Sequence, residues 1–188
     1  MCIRDSIAPA HHRRIQAGIL SWGQDLDHEH NPFQCNLGYQ VSLSGKGEWA
    51  KKGDYIGKQA LEKMKADLKD GHKPYKLQLV GFEIGGKPID EYAPDFWLVS
   101  PGDGGDPCGF ITSPWYHPEK GKNIAMGYIP FDGTLNPNGF PKWELGKKFK
   151  VHLPDIYADE PGVPVDAVTV DVPFTESFNA NTREVVKG

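Results

Sequence analysis

The side chains able to do chemistry gather in one short stretch, the charged segment 24–31 (QDLDHEHN), which lies a few residues beyond Arg14. Asp25 and Asp27 can accept a hydrogen bond from a ligand nitrogen, or can bond the backbone of their own turn as aspartates often do. Arg14 offers a planar fork of donors that suits a ligand carboxylate or, within the chain, Asp25. His28, Glu29 and His30 invite a metal reading, but a metal needs a further ligand at fixed geometry and groups that orient the imidazoles. A polar loop supplies neither, so no metal is expected. Thr112, Ser113 and Asn123 form a hydroxyl–amide set suited to satisfying backbone groups at a turn. Cys35 and Cys108 have no adjacent base to make a nucleophile. No catalytic residue is assigned.

These groups need elements to position them. Ile15, Ile19 and Trp22 recur at helical spacing and predict a helix over residues 10–22, with Pro9 in its first turn and Gly23 ending it. Residues 37–43 alternate in the manner of a strand. The Gly- and Lys-rich stretch 45–54 is the clearest boundary. Ile56, Ala60, Leu61, Met64 and Leu68 predict a second helix over 56–68, with Gly71 as a left-handed cap. From residue 76 six short apolar runs (77–84, 96–99, 108–112, 124–130, 148–153 and 167–172) alternate with Gly and Pro turns, which argues for a small antiparallel barrel or sandwich. The fold class expected is mainly β with two helices (α+β); the resemblance given below implies a small antiparallel β-barrel preceded by a helix–hairpin.

Bulk properties narrow the functions. A net charge of −4 over 188 residues, with a pI near 6.0, gives no basic footprint for nucleic acid or an anionic membrane. No apolar run is long enough to cross a bilayer. The odd, widely spaced cysteines Cys2, Cys35 and Cys108 suggest neither a disulfide framework nor a zinc site, so a reducing, cytoplasmic setting is expected. Residues 1–6 (MCIRDS) fit no pattern and read as a non-native or unassigned leader.

Four blocks in order carry a resemblance. The first is RxxAGxxxxGxDxDxxxxP, met by Arg14, Ala17, Gly18, Gly23, Asp25, Asp27 and Pro32. Asp54, Tyr55, Ile56, Gly57, Lys58, Ala60 and Leu61 follow, then the strand-turn from Val80 to Ile89. The last is GxITSxxYxP with KNIAMGYIP, from Gly109 to Pro130, and a closing pair at Pro173 and Phe174. Together they resemble the C-terminal part of the glycine cleavage T-protein family, which includes aminomethyltransferases and dimethylsulfoniopropionate demethylase.

The resemblance implies a fragment of a tetrahydrofolate-dependent aminomethyl- or methyltransferase, inactive alone, acting on a small one-carbon donor and completed by N-terminal folate-binding subdomains. The alternative is a non-catalytic barrel module that docks on a folate or flavin amine-oxidising domain. It implies a leader at 1–6, the C-terminal edge of the folate-binding domain at 7–50, a linker and helix at 51–75, the barrel at 76–175 and a tail at 176–188. Cofactor-binding candidates are Trp22, where the family carries a tyrosine, with Asp25, Arg14, Tyr39 and Asn179 in the tail. Trp22 and Tyr39 either face the ligand channel or pack in the core. Ala10 and His11 stand where glycine cleavage members carry an Arg–Asp pair, and Gln16 where they carry a glutamate, which leans the reading toward the demethylase-like branch.

Overall fold

The computed structural model describes residues 7–41, 43 and 55–174. The expected leader, the boundary at 45–54 and the tail with Asn179 lie outside the described residues. Within them the chain forms helices α1 (Ile7–Gln16) and α2 (Lys58–Lys69). Six strands follow: β1 (Leu77–Ile84), β2 (Trp97–Pro101), β3 (Gly109–His117), β4 (Lys122–Pro130), β5 (Lys148–Val151) and β6 (Val165–Val170). None of these helices is long and apolar enough to cross a membrane.

The strands close into an antiparallel barrel in the order β1-β4-β3-β2-β5-β6. The mainly-β fold class expected from the apolar runs is therefore present. Each run lengthens or shifts by a few residues, because the ladder extends through polar positions such as Ser113 and Lys122, paired with Met126 and His117. Closure satisfies backbone groups that an open sheet would leave at its edges. Phe82 on β1 and Phe149 on β5 meet edge to face at 5.9 Å in the barrel's packing. β4 is buried at every residue from Asn123 to Ile129, which requires cover on both of its faces.

Between Ile111 and Ser113 the β3–β4 register slips by one residue, a bulge that takes Thr112 out of the pairing. At the turn after β1, the Asn123 side chain accepts from the Ile89 amide and donates to the Gly85 and Lys87 carbonyls, at 3.0–3.1 Å. This is the backbone-satisfying role expected of Asn123.

The contacts divide the chain into two compact units. One comprises residues 1–27, 79–129 and 144–188 and carries α1 and most of the barrel. The other comprises residues 28–78 and 130–143. Its core joins Phe33, Leu68, Tyr75 and Phe131, with Leu61 and Met64 of α2 against them. Burial raises the Tyr75 phenol well above its ordinary value, with the charge of Cys35 adding to the effect.

Two expected elements differ. The first helix stops at Gln16 rather than running to residue 22. Gly18 adopts φ +68°, its amide donates to Ile15 O at 2.9 Å, and the Ile19 amide reaches Arg14 O at 2.7 Å. Those paired bonds form a Schellman cap that turns the chain away, so Ile19 and Trp22 fall outside the helix and stay exposed. Gly71, φ +82°, ends α2 in the same way, with the His72 amide on Asp67 O, as its place in the sequence suggested.

Among the described residues of 37–43, the expected strand and hairpin do not form. Residues 31–41 make successive tight turns, with Asn36 at φ +60° and a 3₁₀ turn at Gly38–Gln40. Gly38 fits because a Cβ there would stand 2.8 Å from the Phe140 ring and 2.9 Å from Phe33.

Gly109 gives a test of barrel closure. A Cβ at this position would lie 2.0 Å from the Tyr128 carbonyl oxygen and 3.1 Å from its carbon, both backbone atoms of β4. Gly109→Ala should therefore destabilise the chain by about 3 kcal/mol, at the upper end of overpacking costs, read as a lowered urea midpoint. An unchanged midpoint would mean that β3 and β4 are not held this close.

Candidate functional site

The site grows from Arg14, at the last turn of α1, and from the loop 19–25 that the Gly18 cap redirects. Arg14 Nη1 donates to Asp25 Oδ2 at 2.8 Å and to Ile19 O at 3.3 Å. Its Nη2 donates to Gln24 Oε1 at 2.9 Å and Ser113 Oγ at 2.8 Å, and its Nε to His11 Nδ1 at 3.3 Å. Every N–H of the guanidinium has a partner.

Asp25 is the matching centre. Its Oδ2 also accepts the Ser21 amide at 2.8 Å, while Oδ1 accepts the hydroxyls of Thr112 and Ser113, each at 2.6 Å. The side chain is fully buried, against 15% exposure for Arg14. A carboxylate has lone pairs for about four such donors, and here each is used. The Tyr128 hydroxyl donates to the Asp25 carbonyl at 2.7 Å, and Gln24 Nε2 donates to Thr112 O at 2.8 Å and Ala93 O at 3.3 Å. The bulge explains why Thr112 can serve: freed from the ladder, its carbonyl takes Gln24 and its hydroxyl takes Asp25.

Thr112 and Ser113 thus differ from expectation. Both fix a distant carboxylate, 87 and 88 residues away in the chain, and the Thr112 hydroxyl also lies 3.1 Å from the Met126 carbonyl. Of the alternatives open for Arg14 and Asp25, the structure shows the internal pair, and Asp25 holds the Ser21 amide besides. His11 takes part as a neutral acceptor for Arg14. Burial first, then the Arg14 charge, push its pKa below 6.5, with Asp25 opposing.

The aromatic candidates fare differently. Trp22 is 69% exposed, with its backbone bridged to Leu26. Tyr39, in the other unit, is 72% exposed, and its hydroxyl accepts from Gln40 Nε2 at 3.0 Å. Neither ring packs into a core of the described residues. Asn179 lies outside the described residues. No group of three His, Cys, Asp or Glu residues is arranged to hold a metal among the described residues.

Sequence reasoning missed Gln24, Ser21 and Tyr128 as partners in the anchor. Gln24 and Ser21 flank Asp25 and could have been suspected as turn partners. Tyr128 had no local signal, since only barrel closure brings β4 to this loop.

Chemically, the arrangement is a saturated anchor rather than a reactive centre. Asp25→Asn should cost about 3–5 kcal/mol, the usual penalty for stranding one charge of a buried pair. Arg14→Lys should cost less, about 2 kcal/mol, as the planar fork is lost while the charge stays. Urea denaturation of both variants reads these values; a loss below about 1 kcal/mol for Asp25→Asn would contradict the anchoring role.

Comparison with known proteins adds the context. No protein-family model matches the chain. It is 32% identical over 117 residues to an aminomethyltransferase of Synechocystis sp., covering 62% of this chain and 27% of that protein. An aminomethyltransferase of Thermosynechococcus vestitus is 29% identical over 162 residues, covering 86% and 35%. The chain thus spans about a third or less of the length of these relatives. The crystal structure of glycine cleavage system aminomethyltransferase T from Bartonella henselae matches 88% of this chain and 38% of its own, with a TM-score of 0.60. At 20% identity that likeness is one of fold. The chain is thus similar in sequence to aminomethyltransferases over 62–86% of its length, and similar in fold to part of a glycine cleavage system aminomethyltransferase.

Proposed function

We propose that the chain supplies one wall of a tetrahydrofolate-dependent aminomethyl- or methyltransferase, and that the remainder of the ligand cradle belongs to the part of the relatives it does not span. The observation that carries this reading is the similarity to aminomethyltransferases over 62–86% of the chain. The geometry supports it through Trp22 and Ile19, which stand 69% and 59% exposed on a loop whose polar groups are tied inward. An indole face held toward solvent suits a flat heteroaromatic ring, and such stacking adds roughly 0.5–1.5 kcal/mol beyond area burial.

The candidate residues divide by role. Trp22 and Tyr39 have open ring faces for ligand contact. Arg14 and Asp25 are positioning residues, because a ligand carboxylate could reach the guanidinium only by displacing a partner. Asn179 remains a ligand candidate. Tetrahydrofolate would supply the nitrogen that receives the one-carbon unit. The protein's share is orientation and exclusion of water, not covalent attack.

The finer reading, a demethylase-like donor rather than the glycine-derived one, draws support from position 11. His11 is a neutral ring engaged by Arg14, so this part of the wall adds no cation for an anionic ligand. The alternative of a non-catalytic docking module draws on the saturation of the anchor, which needs no ligand to be stable.

Isothermal titration of 5,6,7,8-tetrahydrofolate tests the reading, run on this chain and on the chain joined to the region encoded upstream of it. Binding is expected for the joined protein, with Trp22→Ala weakening it roughly fivefold, the equivalent of about 1 kcal/mol. Silence from the joined protein would refute the folate assignment. Full affinity in the Trp22 variant would remove that ring from the site.

A further inference from the structure

Beneath α1, strand β3 presents Ser113, Trp115 and His117 at alternating positions, and all of them are buried. Each meets a different side chain of the helix. Ser113 accepts from Arg14, Trp115 stacks on the His11 ring at 6.1 Å and 15°, and His117 meets His12 edge-on at 5.7 Å. His11 also lies 4.8 Å from the Tyr92 ring. The helix is therefore seated on β3 through two imidazoles as well as through Arg14.

The Nε2 atoms of His12 and His117 are both buried, and neither has a hydrogen-bond partner among the described residues. His117 Nδ1 accepts the Lys120 amide at 3.4 Å, which assigns the ring proton of neutral His117 to Nε2. A second proton in this seam has little to stabilise it. Arg13 and Arg14 face it from α1 and His117 from β3, while Glu119, just beyond β3, and Asp25 are the anions acting on these rings. Asp25 already has its acceptor positions filled. Burial, then His117 and Arg13, lower the His12 pKa against the opposing pull of Glu119. His11 can accept from Arg14 only while its Nδ1 carries no proton.

We propose that the α1–β3 seam is a proton-operated latch: neutral His11 and His12 keep the helix seated on β3, and protonating both rings in mild acid unseats it and loosens the loop 19–25. The sign follows from linkage. Both rings bind protons less readily when seated than when released, so the seated state carries no penalty above 6.5, the ordinary histidine value. It loses stability as pH falls below that value and levels off once the seated rings have titrated. Burial alone would raise Glu83, but the bonds and charges of Lys122 and Lys120 outweigh it and hold its pKa below 4.5. Its contribution is therefore intact throughout the histidine range.

Hydrogen exchange on the full chain, corrected for intrinsic rates, tests the latch. Between about pH 7.5 and about pH 5.5 the α1 amides should lose protection roughly tenfold or more, while β4 keeps its own. A double variant, His11→Gln with His12→Gln, should show a flat profile. If that variant fails to fold, the histidine ring signals of the unaltered chain decide. A shared midpoint below pH 6.5 for His11, His12 and the α1 amides supports the latch. Midpoints at or above it, unchanged α1 protection, or parallel loss of protection in β4 would overturn it.

Discussion

One buried carboxylate sets the geometry on which the rest of this edge depends. Moving an aspartate and an arginine out of water costs several kcal/mol per ion, and their attraction offsets that only when the remaining lone pairs and protons find partners. Asp25 meets the condition, with donors from α1, from its own loop and from the paired hydroxyls on β3. Without the register slip, Thr112 would belong to the ladder and the carboxylate would lack a donor. The bulge, the cap at Gly18 and the ion pair are therefore parts of one solution, since each makes the others affordable in free energy.

Much of the barrel could be read in the chain because its strands are separated by Gly and Pro turns, and burial on both faces makes β1 and β4 near-continuous apolar runs. β4 is the clearest case, with Asn123 the polar residue at its start that clamps a turn. α2 was legible for a local reason too: its stripe ends where Gly71 supplies the left-handed cap. The end of α1 was not. Ile19 and Trp22 continue the helical spacing of Ile15, and periodicity cannot weigh that against Gly18, whose positive φ turns the chain first. Alternation failed likewise at residues 37–43, because it records which faces are apolar and not whether a neighbouring strand exists to pair with.

The site was legible as a list of residues but not as a set of roles. Arg14 and Asp25 were visible through charge and spacing. Their saturation was not, because Thr112, Ser113 and Tyr128 arrive through barrel closure, 87 to 103 residues away. Sequence reasoning tends to give ligand roles to charged residues near a loop. The structure shows the charges occupied and leaves the uncharged ring of Trp22 facing outward.

That division has a physical logic. A loop serving only to cover a core would turn its large apolar side chain inward and its polar groups toward water. Here Gln24 and Asp25 are bound to the barrel and to α1 and the Ser21 amide to Asp25, while Ile19 and Trp22 remain exposed. Exposing that much apolar surface is unfavourable for the isolated chain at roughly 25 cal/mol per Å². Any partner that covers the indole would recover that hydrophobic energy without breaking an internal hydrogen bond.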